Sequence, residues 1–178
     1  MHGKGDFVDS RLNDAVQFPV AAKAGLGNVR NTPDLVTPKL AALQFYQLAI
    51  AAPKPPAGSF DPVAAERGKT LFSGTARCST CHVPPLFTEP GWNMHTGEEI
   101  GIDDFQANRT PDGSYRTAPL KGLWTYDKAN GHGAAGPGSY HDGRFKDLNE
   151  VVAHYDSFLK LSLTPEQKRD LVQYLKSL

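Results

Sequence analysis

The 178-residue chain has little cysteine, methionine or tryptophan, two residues of each. Both cysteines fall within one five-residue stretch, so no structural disulfide is left to staple the fold. No run of about twenty apolar residues occurs, and nothing in the sequence is expected to span a membrane. Neither sign of charge prevails: 19 basic residues balance 19 acidic ones. That leaves no electrostatic case for a nucleic-acid partner or an anionic membrane surface. The opening residues, Met1-His2-Gly3-Lys4-Gly5-Asp6, lack the apolar segment of a signal peptide. Hydrophobic content is a modest 39%, whereas 17 glycines and 14 prolines are abundant. Such a composition favours long ordered loops over dense regular structure. The length suits one domain, or one domain with an extension.

What is present centres on Cys78-Ser79-Thr80-Cys81-His82. C-x-x-C-H is the pattern of covalent c-type haem attachment. Two thiols one turn apart can each add to a haem vinyl group, and the histidine that follows then reaches the iron. A redox dithiol usually opens a helix in a strand-rich domain, which the flanks do not suggest. A tetrahedral zinc site would need two more strong ligands, and no further cysteine exists. The expected cofactor is therefore one covalent haem c, with His82 as proximal ligand. Its apolar bulk would supply core that the side chains do not. Because this attachment normally occurs outside the cytoplasm, the expected location is the periplasm or another exported compartment. Either a signal has been removed, or the chain is a piece of something longer.

Along the chain, residues 1 to about 33 are polar and glycine-rich without sustained period, a surface lariat or a disordered tail. From Thr37 the pattern turns helical. Pro38 suits a first turn, and Leu40, Leu43, Tyr46, Leu48 and Ile50 form an apolar stripe. Ala51 to Gly58 is a proline-rich spacer. The boundary is placed there: 1–58 an N-terminal extension, 59–178 a cytochrome c domain. Asp61 is a candidate N-cap, Pro62 fits the first turn, and a helix runs to about Phe72. Gly68 permits close helix crossing, while Phe72 can wall the haem. After the motif, Pro84-Pro85 turn the chain away from the haem edge. Residues 86–146 read as mostly loop, with Thr110-Pro111-Asp112-Gly113 a turn signal and 129–139 the most flexible stretch by composition. Asp147 with Glu150 resembles a capping pair for a helix to about Phe158. Thr164 with Gln167 is a capping box for a helix over 165–177, with Leu171, Val172 and Leu175 inward.

An electron-transfer haem needs a second strong iron ligand, whereas a catalytic one leaves that position open or weakly held. Candidates are Met94, His95, His132, His141, His154 and Tyr155, with Met1 and His2 at the terminus. Thioether chemistry favours Met94, although it follows the motif by only twelve residues and packing beside Trp92 explains it equally. Arg116 is a candidate partner for a haem propionate. Trp92 and Trp124 are candidate haem-wall or electron-path aromatics. Asp103-Asp104 reads as a solvated pair, and His141 as a turn stabiliser.

Several motifs then recur in a telling order. Arg116-Thr117-Ala118-Pro119-Leu120-Lys121-Gly122-Leu123 is followed by Tyr140-His141-Asp142-Gly143, by Leu148-Asn149-Glu150-Val151-Val152, and by Leu163-Thr164-Pro165-Glu166-Gln167. From Asp61 to Leu178 this resembles the C-terminal haem domain of bacterial di-haem cytochrome c peroxidases and the related methylamine-utilisation maturases. Residues 34–60 resemble the helix preceding that domain. The resemblance implies a mostly α, class I cytochrome c-like fold with long loops. In the peroxidases the electron-receiving haem carries a methionine on the helix after the Tyr140–Gly143-like segment, and the corresponding slot here is Tyr155. In the maturases that ligand is a tyrosine. By resemblance Tyr155 leads as distal ligand, with Met94 the alternative. Those enzymes also carry a second C-x-x-C-H and a calcium ion held partly by a segment like Thr117-Ala118-Pro119. This chain has one haem motif, so peroxidase activity does not carry over, and calcium is not expected.

The resulting expectation is single-electron transfer with a redox partner protein. Two others remain: a peroxidase-like haem with a distal base among His95, His141 and His154, and a subunit or fragment that residues 1–33 dock onto a partner, with a second haem domain or subunit a candidate partner.

Overall fold

In the computed structural model, residues 37–89, 93–110, 112–126, 139–140 and 142–178 are described. The chain divides into two compact units, residues 1–51 with 90–92 and residues 52–89 with 93–178. In the first unit, a 3-10 turn at Thr37–Lys39 leads into helix α1, Leu40–Ala49. The helix predicted from Thr37 is present, but none of its residues is buried. Its apolar stripe lies open, with Leu43, Tyr46, Leu48 and Ile50 all exposed. Periodicity defines a face without saying what covers it.

The second unit is mostly helical. Helix α2, Pro62–Ser73, starts where its sequence dictates: the Asp61 carboxylate accepts from the Val63 and Ala64 N–H groups, and Pro62 occupies the first turn. The chain's last helix, α5 at Pro165–Ser177, opens on a full capping box between Thr164 and Gln167. These two helices cross tightly, and Gly68 is the reason. A Cβ there would stand 2.1 Å from the Asp170 carbonyl oxygen, inside any permitted contact. The crossing is locked on both sides. Arg67 donates to Asp170 through Nε at 2.8 Å and Nη2 at 2.7 Å, and the Asp61 N–H donates to Gln173 at 2.8 Å. Bidentate guanidinium–carboxylate pairing of this kind fixes orientation as well as adding stability.

Below the crossing lies the core. Phe72 is wholly buried and meets Phe87 and Tyr174 edge-on, at centroid distances of 6.0 and 5.2 Å. Leu148 and Val152 from helix α4 (Leu148–Phe158) and Leu171, Val172 and Leu175 from α5 complete it. The start of α4 is capped by Asp147, whose carboxylate accepts from the Glu150 N–H at 3.0 Å.

The segment between motif and α4 is mostly loop, as its composition predicts, but it is stapled. Strands β1 (Met94–His95) and β2 (Tyr115–Arg116) pair antiparallel, with Met94 opposite Arg116. A one-turn helix, α3 at Gly97–Ile100, carries its own capping box from Thr96 and Glu99. It ends at Gly101, whose φ of +71° needs glycine and against which the Phe158 ring packs. Here one reading is corrected. Asp103 and Asp104 are not simply solvated: Asp104 accepts from the Gly97 N–H at 3.0 Å, and Asp103 pairs with Arg144. They tie the loop to itself and to the segment before α4. No helix among the described residues is long and apolar enough to cross a membrane.

Candidate functional site

Helix α2 ends at Ser73, and a reversal through Arg77, which adopts a left-handed φ of 56°, delivers the chain into a 3-10 turn at Cys78–Thr80. The His82 N–H closes that turn on the Cys78 carbonyl at 2.9 Å. One tight turn therefore presents Cys78, Cys81 and His82 together. Burial pushes the Cys78 thiol up to about 11. Burial also raises the Cys81 thiol, and the Glu89 and Glu99 carboxylates add to that effect. Burial thus works against the thiolate form of both sulfurs, the opposite of the depressed value that activates a redox cysteine.

His82 is set up as a ligand. Its Nδ1 lies 3.2 Å from the Phe87 carbonyl oxygen. Burial lowers its basicity, with the Phe87 and Ala118 carbonyls pulling the other way, so the ring is neutral. A carbonyl only accepts, so the Phe87 contact places a proton on Nδ1. Ligating histidines are commonly oriented by such a second hydrogen bond. The Phe87 carbonyl is the functional group that sequence reasoning missed. Its only signal was the paired prolines, since the 83–87 turn returns Phe87 through an N–H bond to the Val83 carbonyl at 2.7 Å. Pro84 itself is exposed in that turn, next to the motif.

Beside His82 lies a buried polar cluster. Glu89, its side chain 6% exposed, accepts from Thr117 Oγ1 at 2.5 Å and from Asn93, and meets His95 Nε2 at 2.6 Å. Burial alone would raise this carboxyl, but the hydrogen bonds from Thr117 and His95 and the His95 charge outweigh it and hold it low. One donor atom each from Cys81, Glu89 and His95 lie within 4.8 Å of one another. The trio has the right donors for a divalent cation only while Cys81 keeps a free thiol. His95 thus faces Glu89 and Cys81. Successive residues of a strand point to opposite faces, so Met94 is directed away from that cluster. Its partner across the ladder, Arg116, is exposed.

The remaining predicted residue, Tyr155, lies on α4. Burial holds the Tyr155 phenol above its ordinary range, a nearby Tyr140 hydroxyl pulls it down, and the Cys81 and Cys78 sulfurs push it up again. Tyr155, on α4, is therefore within electrostatic reach of both motif cysteines. Around it is an aromatic box. Its ring lies 6.3 Å from Tyr140 and 5.3 Å from His154, and His154 stacks on Phe158 at 6.0 Å. Two buried polar atoms among the described residues have no hydrogen-bond partner, and both are here: Tyr140 Oη and His154 Nε2. Buried polar atoms are ordinarily satisfied, and exceptions call for an explanation. Phe72 lies in the core behind the motif rather than at the box. Trp124 donates its indole N–H to the Pro53 carbonyl at 3.2 Å and so ties itself to the spacer. Trp92, His132 and His141 lie outside the described residues, as do Met1 and His2.

The donor set fits a covalently attached haem. It offers two thiols on one tight turn for thioethers, an imidazole oriented through Nδ1, and a phenol within electrostatic reach of both sulfurs. Comparison with known proteins points the same way. Over an alignment of 149 residues the chain is 27% identical to cytochrome-c peroxidase IdrP1 of Denitromonas iodatirespirans. The chain is similar to a cytochrome-c peroxidase. The alignment takes in 64% of this chain but only 40% of that relative. No family model and no solved structure matches the chain.

Proposed function

We propose that this chain is a mono-haem, c-type electron-transfer domain with a class I cytochrome c-like fold, related to the electron-transfer half of di-haem peroxidases. The domain is 59–178, preceded by an extension at 1–58. Cys78 and Cys81 carry the thioethers, His82 is the proximal ligand and Tyr155 the distal one. Bound there, haem c supplies a one-electron iron centre. The observation that carries this reading is the tight C-x-x-C-H turn, closed by the His82 N–H on the Cys78 carbonyl, with Tyr155 within electrostatic reach of both sulfurs. Tyr155 held against the iron of such a haem would favour electron transfer over peroxide chemistry, because a six-coordinate centre would change geometry little between oxidation states. A phenolate ligand stabilises ferric iron and gives a low potential. Phe72 supports the turn from the core, Pro84 and Arg116 border the haem edge, and Trp92 is a further haem-wall residue. The redox partner is a protein, and a second haem domain or subunit is the natural candidate. The domain works in the periplasm or another exported compartment.

A second reading is favoured by the peroxidase relative: a peroxidase-like oxidoreductase, or a fragment of a di-haem enzyme. It would need an open distal position and a proton acceptor such as His95 or His154. Ferric absorption and low-temperature paramagnetic resonance spectra separate the two. Low-spin iron that converts to high-spin in Tyr155→Phe, and not in Met94→Leu, is the expected result. High-spin iron in the unaltered protein that reacts rapidly with hydrogen peroxide would overturn the carrier reading. Loss of the low-spin signal in Met94→Leu alone would move the ligand to Met94.

A further inference from the structure

We propose that Tyr140 is a positioning residue for the distal ligand, its buried hydroxyl donating a hydrogen bond to the Tyr155 oxygen and setting how much electron density that ligand gives the iron. This rests on reading Tyr155 as the distal ligand. The starting point is the unpartnered Tyr140 Oη, fully removed from solvent. A buried hydroxyl without a partner costs free energy that packing does not return. It persists where the surroundings hold it for another purpose.

Those surroundings are over-determined. The Tyr140 ring is boxed by Phe145 at 4.8 Å, His154 at 5.9 Å and Tyr155 at 6.3 Å. Its backbone sits at a φ of +71°, unusual for a residue with a side chain. That conformation is held from both sides. The Ser139 N–H bonds the Phe145 carbonyl at 2.7 Å, and the Gly143 N–H bonds the Tyr140 carbonyl at 3.3 Å. The Arg144 guanidinium, close enough to affect Tyr140, is engaged by Asp142 and Asp103. The hydroxyl thus cannot swing out to water.

Tyr155 is the neighbouring hydroxyl-bearing ring, tilted by 37° at 6.3 Å, and it is the polar group that acts on the Tyr140 hydroxyl, although no hydrogen bond of ordinary length and angle joins them. Two neutral phenols compete for one role. An iron-bound phenolate has no proton to offer and keeps lone pairs that can accept, so Tyr140 becomes the donor. A donor to a charged acceptor makes a short, strong bond. It withdraws electron density from the phenolate, weakens its donation to ferric iron and raises the potential relative to an unassisted phenolate.

The test compares holoprotein carrying Tyr140→Phe, Tyr155→Phe and both substitutions, reading the phenolate-to-iron charge-transfer band and the reduction potential. Tyr140→Phe keeps the ring in its box and removes only the hydroxyl. The expected result is a red shift of the band and a lower potential in the single variant. In the Tyr155→Phe background the same substitution should change the potential negligibly, which isolates the pairwise coupling. An unchanged band and potential in Tyr140→Phe would overturn the inference while leaving the Tyr155 ligand standing. An equal shift in both backgrounds would also overturn it, assigning the effect to packing. If Tyr155→Phe leaves the band untouched, the ligand reading fails and this inference fails with it. Resonance Raman spectra of the unaltered protein in light and heavy water give the same answer without substitution. The phenolate stretch should be sensitive to exchange if Tyr140 donates to it, and insensitivity would contradict the proposal.

Discussion

The crossing of α2 and α5 and the aromatic box beside α4 are built on opposite terms. At the crossing every feature serves packing: Gly68 removes a side chain, Phe72 is wholly buried, and Asp170 is satisfied twice over by Arg67. In the box, by contrast, aromatic rings enclose two polar atoms that bond to nothing, Tyr140 Oη and His154 Nε2. One region has discharged its hydrogen-bonding capacity and the other has kept it in reserve. Buried groups left unsatisfied in this way call for an explanation that packing does not supply.

That contrast can be broken by mutation. The largest stability loss should come from the crossing: Phe72→Ala should cost about 3–5 kcal/mol, read by denaturant unfolding of the holoprotein. Gly68→Ala should cost about 1–3 kcal/mol, because the new methyl group meets the Asp170 backbone rather than a flexible side chain. In the box the order reverses. In the apoprotein Tyr140→Phe should change stability by less than about 1 kcal/mol, since its hydroxyl makes no hydrogen bond there, while altering the spectrum of the holoprotein. A box variant that unfolds the protein, or a crossing variant that leaves it unmoved, would dissolve the distinction.

The smallest effect concerns the join between α4 and α5. Lys168 Nζ stands 2.5 Å from Asp156, whose other oxygen accepts from the Leu163 N–H at 2.9 Å. Lys168, and then that N–H, hold the Asp156 carboxyl below its ordinary range. A folded value below the unfolded one of about 3.9 adds stability above that pH, and this is lost as pH falls through the folded value. Asp156→Asn should therefore lower stability slightly at neutral pH and flatten its decline below about pH 4. An unchanged acid limb would show that the pair contributes nothing.

How much of this was legible in the sequence follows the range of the interactions. Asp61 with Pro62, Asp147 with Glu150, and Thr164 with Gln167 are local rules, and all three helices start where those residues say. The crossing was legible through Gly68 because a glycine inside a helix has few other reasons to be there. The second shell of the site was not. The acceptor that fixes His82 is a backbone carbonyl, which carries no residue type. Glu89 meets His95 and Thr117 through a fold that brings together positions 28 residues apart. Met94 was weighed on the chemistry of its sulfur, whereas its direction depends on a two-residue strand too short to leave a periodic signal. Tyr140 was read as part of a turn, and only the structure puts its ring beside Tyr155.

The central claim is that Cys78 and Cys81 hold one haem covalently. Intact-mass measurement of the denatured protein, matured in a host that attaches c-type haem, tests it most directly, together with the alkaline pyridine spectrum of the same sample. The account predicts one haem per chain that survives denaturation and disappears in the Cys78→Ser/Cys81→Ser variant. A mass equal to the bare polypeptide with two free thiols would contradict it.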